Sequence, residues 1–171
     1  MSLYPEPTNI WESIEYSALG TTIAESTWMF PTLETLHVIS FVIVLGTIFV
    51  MDLRMLGWTS NKFAVTATAK DTLPWTWGAF VCAAITGLLL FTSKASSYME
   101  NPWFIRKLVM IAFAGLNMMY FHFITYRTVT HWDRDASMPF AVKVAGALSL
   151  ISWVVVVFFG RAIGFTLGIF G

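Results

Sequence analysis

The sequence predicts an all-α fold: an integral membrane four-helix bundle with a short interfacial helix on its N-terminal side. Three observations predict it. Hydrophobic residues make up 57% of the 171 residues and charged residues only 12%, against about a quarter charged in soluble domains. Four stretches approach the roughly 20 apolar residues that an α-helix needs to cross the hydrocarbon core. The segments between them, GWTSNKFAVTATAKDTLP, SKASSYMENP and RTVTHWDRDASMP, are polar, and each ends in a proline that suits the approach to a new helix. Little chain is left outside the spans, so residues 1–171 form one membrane domain.

Taken in order, the opening MSLYPEPTNIWESIEYSALG has no basic n-region and no long apolar core, so no signal peptide is expected. Residues 9–26 mix Trp11, Ile14 and Tyr16 with Glu12, Glu15 and Glu25, the pattern of a helix lying at the interface and not of a fifth crossing. The spans fall at about residues 30–56, 75–92, 103–126 and 141–167. Trp28, Trp75, Trp77 and Trp103 stand near the expected helix ends and read as interface anchors. Span two carries Gly78, Cys82 and Thr86, and span four carries Gly160, Gly164 and Gly168 at small-xxx-small spacing. These two spans are therefore expected to make the close helix contacts, with Cys82 packing as a small hydrophobe.

Basic residues set the orientation. Arg54, Lys62, Lys70, Arg127, Arg134 and Lys143 flank the loops after spans one and three, while Lys94, Arg106, Lys107 and Arg161 lie on the other side beside a glutamate-rich N-terminus. The positive-inside tendency makes the first group cytoplasmic and places both termini outside. A formal net charge of zero and the lack of a long basic run exclude nucleic acid as a partner class.

The first span raises the functional question, because FPTLETLHVISFVIVLGTIFVMDLRMLG carries Glu34 and His37 at its front and Asp52 and Arg54 at its back. At about 100° per residue, Glu34, His37, Ser40, Thr47 and Arg54 share one stripe, which should face the other helices because intramembrane polar groups turn inward. Asp52 points elsewhere and reads either as a headgroup-level charge partnered locally by an arginine or as a buried structural group. On the third span, Lys107, Met110, Ala114, Asn117 and Phe121 project within about 80° of one another, with His122 on the flank. Asn117 is expected to make an interhelical hydrogen bond in preference to binding a ligand.

Two histidines in apolar helices point to haem b, since neutral imidazole is a common axial ligand and bundles hold cofactors between facing helices. His37 and His122 are the candidate iron ligands, but they stand roughly 15–20 Å apart in depth and cannot share one iron. An outer haem on His37 would take Met110 as second ligand and pair its propionates with Lys107 and Arg161. Met110 reads equally as core filler. An inner haem on His122 would use Met51 or Met118. His131 lies in a polar loop and reads as solvated. Neither the spacing of a zinc site nor a hydrolytic constellation is present.

The runs LETLHV (33–38), MDLRMLG (51–57), LPWTWGAF (73–80), TGLLLF (86–91), NPWFIRKL (101–108), AGLNMMYFH (114–122) and GRAIGF (160–165) resemble a family of small bacterial four-helix integral membrane proteins of unknown function. The resemblance implies a bacterial inner membrane location and importance for Glu34, His37, Asp52, Arg54, Trp75, Trp77, Asn101, Lys107, Asn117, His122 and Arg161. The first helix, with Leu-His near its start and a glycine further on, is also similar to membrane haem proteins of the protoporphyrinogen oxidase and copper-resistance types. Three readings stay open. One is a haem b electron-transfer protein working with a quinone or a membrane protein partner. Another is a non-catalytic subunit of a larger complex. The third is a proton or small-solute pathway, with Glu34, His37 and Lys107 outside and Asp52, Arg54 and His122 inside, for which a homo-oligomer would compensate for small size.

Overall fold

The computed structural model describes residues 5–59, 63–134, 138–167 and 169. Its elements are α1 (Ile10–Glu15), α2 (Ala18–Glu25), α3 (Met29–Leu56), α4 (Val65–Thr92), α5 (Ala95–Glu100), α6 (Pro102–Phe123), a 3₁₀ turn (Thr125–Thr128), α7 (Val129–Trp132) and α8 (Phe140–Thr166). No strand occurs among the described residues. The helices α3, α4, α6 and α8 are long and apolar enough to cross a membrane, which makes the chain a multi-pass membrane protein. Their outward side chains meet lipid: Val42, Leu88, Leu116 and Phe158 are 60–65% exposed, an arrangement that water would not tolerate over so large a surface.

Span two differs from its sequence reading. The helix begins at Val65, not at residue 75, and Pro74 lies inside it. Proline reads as a helix start in a polar segment, yet here it is tolerated within a long transmembrane helix. Threonine hydroxyls bond back along this first part, from Thr68 to Ala64 O (3.2 Å), Thr72 to Thr68 O (2.8 Å) and Thr76 to Thr72 O (2.9 Å). At about 1.5 Å per residue, the 28 residues of α4 exceed the roughly 30 Å of hydrocarbon. The segment bearing Lys70 and Asp71 therefore projects beyond it, and the exposed Trp75 and Trp77 stand where the apolar stretch begins. The loop readings of SKASSYMENP and RTVTHWDRDASMP also give way, since they contain α5, the 3₁₀ turn and α7. The interfacial segment is two short helices, not one.

The four long helices are joined as two hairpins. α3 packs along α4, α6 packs along α8, and the hairpins meet where α3 crosses α8. α4 and α6 make no comparable contact, so the bundle is open on that side. The expectation that spans two and four supply the close contacts through their glycines is corrected accordingly. A Cβ at Gly146 of α8 would stand 3.1 Å from Met55 Cβ and 3.2 Å from Asp52 O, so this glycine sets the α3–α8 crossing. Gly78 and Gly164 have open space beside them, and Gly160 leaves room for Lys107, whose Nζ would lie 3.9 Å from a Cβ there. Gly168 and Lys62 lie outside the described residues. Cys82 is exposed on α4 and is not packed inside.

Both ends of the bundle are tied by polar groups. At one end, α3 stops at Gly57 (φ 77°), whose N–H donates to Arg54 O (3.0 Å) while Trp58 N–H donates to Leu53 O (3.1 Å). This paired closure needs a left-handed residue and so selects glycine. Arg54 is fully buried and donates from Nε to Phe63 O (2.9 Å) and from Nη2 to Asp133 O (3.3 Å). Asp133 in turn caps α4 from another part of the chain, accepting from Thr66 N (2.8 Å) and Thr66 Oγ1 (2.8 Å).

At the opposite end, buried Asn101 caps α6 by accepting from Trp103 N (2.9 Å) and donates to Thr166 Oγ1 at the end of α8 (3.0 Å). α1 packs on α5, where Ser96 N–H donates to Glu15 Oε2 (3.0 Å), and Trp11 stands edge-on to Phe91. Hydrogen bonds from Thr8 and Asn9 hold the Glu12 carboxyl below the usual carboxylate range.

Candidate functional site

The open side of the bundle is a cleft of about 170 Å³ lined by all four long helices, toward the Arg54 end. Its walls are mostly apolar and include Met51, Trp77, Phe80, Ile111, Phe121 and Trp153. Because α4 and α6 do not close over it, it communicates with the lipid beside the protein. The few polar groups on its surface come from every helix: Thr47 and Asp52 from α3, Thr72 and Thr76 from α4, Asn117 and His122 from α6, and Ser149 from α8.

Most of these groups are already partnered. The Thr47 and Thr76 hydroxyls are 2.8 Å apart and bridge α3 to α4. Asn117 donates from Nδ2 to Ala145 O on α8 (2.9 Å), the interhelical bond expected of a mid-membrane amide. The His122 ring stacks on Tyr126, with centroids 5.4 Å apart and planes at 18°.

Asp52 is the exception. It is 4% exposed, its Oδ2 is buried and has no hydrogen-bond partner, and the Ser149 residue of α8 faces its carboxyl. Among the described residues, no lysine or arginine lines the cleft. The reading of Asp52 as a headgroup-level charge paired with an arginine is thus corrected: it is buried between α3 and α8, because Gly146 lets α8 approach its backbone. Arg54, two residues on, faces away from the cleft into the end knot with Phe63 and Asp133.

Of the inner group expected from the sequence, Asp52 and His122 line one cleft and Arg54 lies outside it, while Asn117, expected only as an interhelical bond, lines the cleft as well. The outer group is dispersed. Glu34 is exposed, and Arg161 is exposed with its guanidinium 4.5 Å above the Phe165 ring of its own helix. Glu34 and burial together push the nearby Tyr98 hydroxyl up, burial being the larger cause. Lys107 is half-buried beside Gly160 and near enough to His37 for its charge to act there. Met110 packs with Val44, Ala114, Trp153 and Val156. Sequence reasoning missed Ser149, Asp133 and Thr76, the partner of Thr47. A threonine at seven-residue spacing on the Glu34 stripe signals Thr47; Ser149 and Asp133 have no local signal.

For haem iron the residues fit in one respect. His37 Nδ1 lies 2.9 Å from Ala83 O and 3.1 Å from Thr86 Oγ1. A carbonyl can only accept, so Nδ1 carries the proton and Nε2 keeps its lone pair, the arrangement that orients a ligating imidazole. The ring lies against α4, where a Cβ at Gly87 would stand 2.9 Å from its Cε1. α3 and α6 make no extensive contact that would seat Met110 beside it. Among the described residues, no group of three or more His, Cys, Asp or Glu side chains gathers to hold a metal ion.

Fold and site together define a multi-pass membrane protein with a laterally open cleft and, on its wall, a buried carboxyl with one oxygen unpartnered. Compared with protein-family models, curated proteins and solved structures, the chain matches none.

Proposed function

We propose that the protein binds a lipid-soluble small molecule that enters the cleft sideways from the bilayer, as a receptor or as part of a small-solute pathway. The observation that carries this reading is the buried Asp52 carboxyl, without a partner for Oδ2, on the wall of an apolar cleft open between α4 and α6. A polar group left unsatisfied in an apolar interior costs free energy, and an ionisable one inside a membrane marks a functional site by default. A large apolar pocket with a few convergent polar groups is the ordinary form of a small-molecule site. The excess of basic residues at the Arg54 end supports an orientation with that end cytoplasmic and both termini outside.

The cleft is tested by blocking it. Gly115 lines the cleft and has open space beside it, so Gly115→Leu fills the volume without a clash. In ¹⁹F NMR of the micellar protein with 2-(4-fluorophenyl)ethanol, wild type should give a bound resonance distinct from the micelle-dissolved probe, and Gly115→Leu should abolish it. Identical spectra for the two proteins refute the reading.

A second reading is favoured by a specific observation at His37. The Nδ1–H bond to Ala83 O leaves Nε2 free for a haem b iron, whose chemistry would be one-electron transfer. Absorption spectra of protein expressed with haem supplied, oxidised and then reduced by dithionite, test it. A Soret band lost in His37→Ala supports the reading, and a featureless spectrum rejects it.

A further inference from the structure

We propose that the ligand of this cleft is a hydrophobic amine, an apolar body of about one benzene ring carrying one ammonium group that Asp52 holds; the assignment rests on the small-molecule reading above. Size comes first. The cleft measures about 170 Å³, and an apolar protein cavity of about 150 Å³ accommodates benzene. That space far exceeds the roughly 10–15 Å³ that a single water requires, so a proton or one water does not account for it.

Charge comes next. Among the described residues, Asp52 brings a buried carboxyl whose Oδ2 is unpartnered, and the wall holds no lysine or arginine to neutralise it. Arg54, the nearest cation in sequence, lies outside the cleft and directs Nε and Nη2 to Phe63 O and Asp133 O, although its Nη1 is buried without a partner. A buried carboxylate is tolerated when an opposite charge is brought to it with hydrogen bonds. An ammonium supplies both, with three donors for Asp52 Oδ2 and for hydroxyl oxygens such as Ser149.

The alternatives fit less well. A divalent cation needs six or more oxygen ligands, or several carboxylate and imidazole ligands, and the cleft provides one carboxyl, one imidazole (His122) and one amide already bonded to α8 (Asn117), among hydroxyls. An anionic ligand would meet Asp52 with like charge. A purely apolar occupant would leave Oδ2 as it stands. The walls select the body as Asp52 selects the head, because Phe80, Trp77 and Phe121 present aromatic surfaces on the same cleft.

The experiment compares 2-(4-fluorophenyl)ethylamine with 2-(4-fluorophenyl)ethanol, which have the same body and differ in the head, by ¹⁹F NMR titration of the protein in micelles at neutral pH. The amine should bind wild type at least about tenfold more tightly than the alcohol, as a hydrogen bond to a charged group implies. Asp52→Asn should erase that preference while leaving alcohol binding, and Gly115→Leu should abolish binding of both. Equal affinity of amine and alcohol for wild type overturns the amine assignment and leaves the cleft as a small-molecule site. A preference that survives in Asp52→Asn overturns the role of Asp52. Binding of neither probe overturns both readings. If Asp52→Asn fails to fold, the amine preference in wild type and its loss in Gly115→Leu decide alone.

Discussion

Replacing Asp133 with alanine removes three things at once, and the structure allows each to be weighed. The carboxylate caps α4 through Thr66 N at 2.8 Å, and loss of such a cap costs about 1 kcal/mol. Its second oxygen takes the Thr66 hydroxyl at 2.8 Å, a charge-assisted bond worth about 1 kcal/mol at a half-buried site. Asp133 is also the acid whose charge acts on fully buried Arg54. Losing it leaves that guanidinium in an apolar surround for about 1 kcal/mol more, below the 3–5 kcal/mol of a fully buried direct pair. Asp133→Ala should therefore cost about 3 kcal/mol, whereas Asp133→Asn, which keeps an oxygen for Thr66 N, should cost about 2 kcal/mol. In an Arg54→Met background the charge contribution vanishes, and Asp133→Ala should fall to about 2 kcal/mol. Unfolding of the micellar protein by titrated SDS, followed by far-ultraviolet circular dichroism, measures all four. A cost below about 1 kcal/mol for Asp133→Ala refutes the cap, and an equal cost in both backgrounds refutes the coupling to Arg54.

Three further outcomes are expected. Gly57→Val forces a branched residue into the left-handed conformation that closes α3 (φ 77°), at about 1–2 kcal/mol in the same unfolding assay; an unchanged midpoint would show that α3 ends another way. Gly87→Ala puts a methyl 2.9 Å from His37 Cε1, so it and His37→Ala should be strongly sub-additive in a double-mutant cycle, by at least about 0.5 kcal/mol. Simple additivity would mean that the ring does not rest on Gly87. The Tyr98 hydroxyl is pushed up by burial and by Glu34, so the folded state holds its proton longer than the unfolded state. Its contribution is fully present below the ordinary tyrosine range and fades as pH rises through the raised value. Melting temperatures between about pH 9 and 11, spanning the usual tyrosine pKa, should fall more steeply for wild type than for Tyr98→Phe, and parallel curves would contradict this.

The residues show why some of this is legible from sequence and some is not. Four apolar stretches announce four crossings because lipid penalises any other use of them. Asn117 announces an interhelical bond for a related reason, since an amide in hydrocarbon must be paired somewhere. Periodicity sets Asp52 apart from the Glu34 stripe, yet Asp52 and Thr47 of that stripe line one cleft, and it cannot say that α8 lies over Asp52, which depends on Gly146 being the crossing point. Asp133 caps a helix 67 residues away in sequence, and nothing in RTVTHWDRDASMP marks it as a partner of Thr66. Pro74 misleads because the same residue starts one helix and interrupts another. The glycines of α8 mislead in the same way: spacing singles out Gly160 and Gly164, and the packed one is Gly146, which stands alone.

The meeting of the two hairpins only along α3 and α8 bears on how the chain is assembled. Each hairpin pairs helices that are consecutive long segments of the chain, so each can form as its own two helices enter the bilayer, before the other half exists. The α3–α8 crossing must wait for the last helix to be made. The cleft, and with it the setting of Asp52 against Ser149, is therefore the final part of the molecule to come into being, and a chain arrested before α8 would hold a paired hairpin and no binding site.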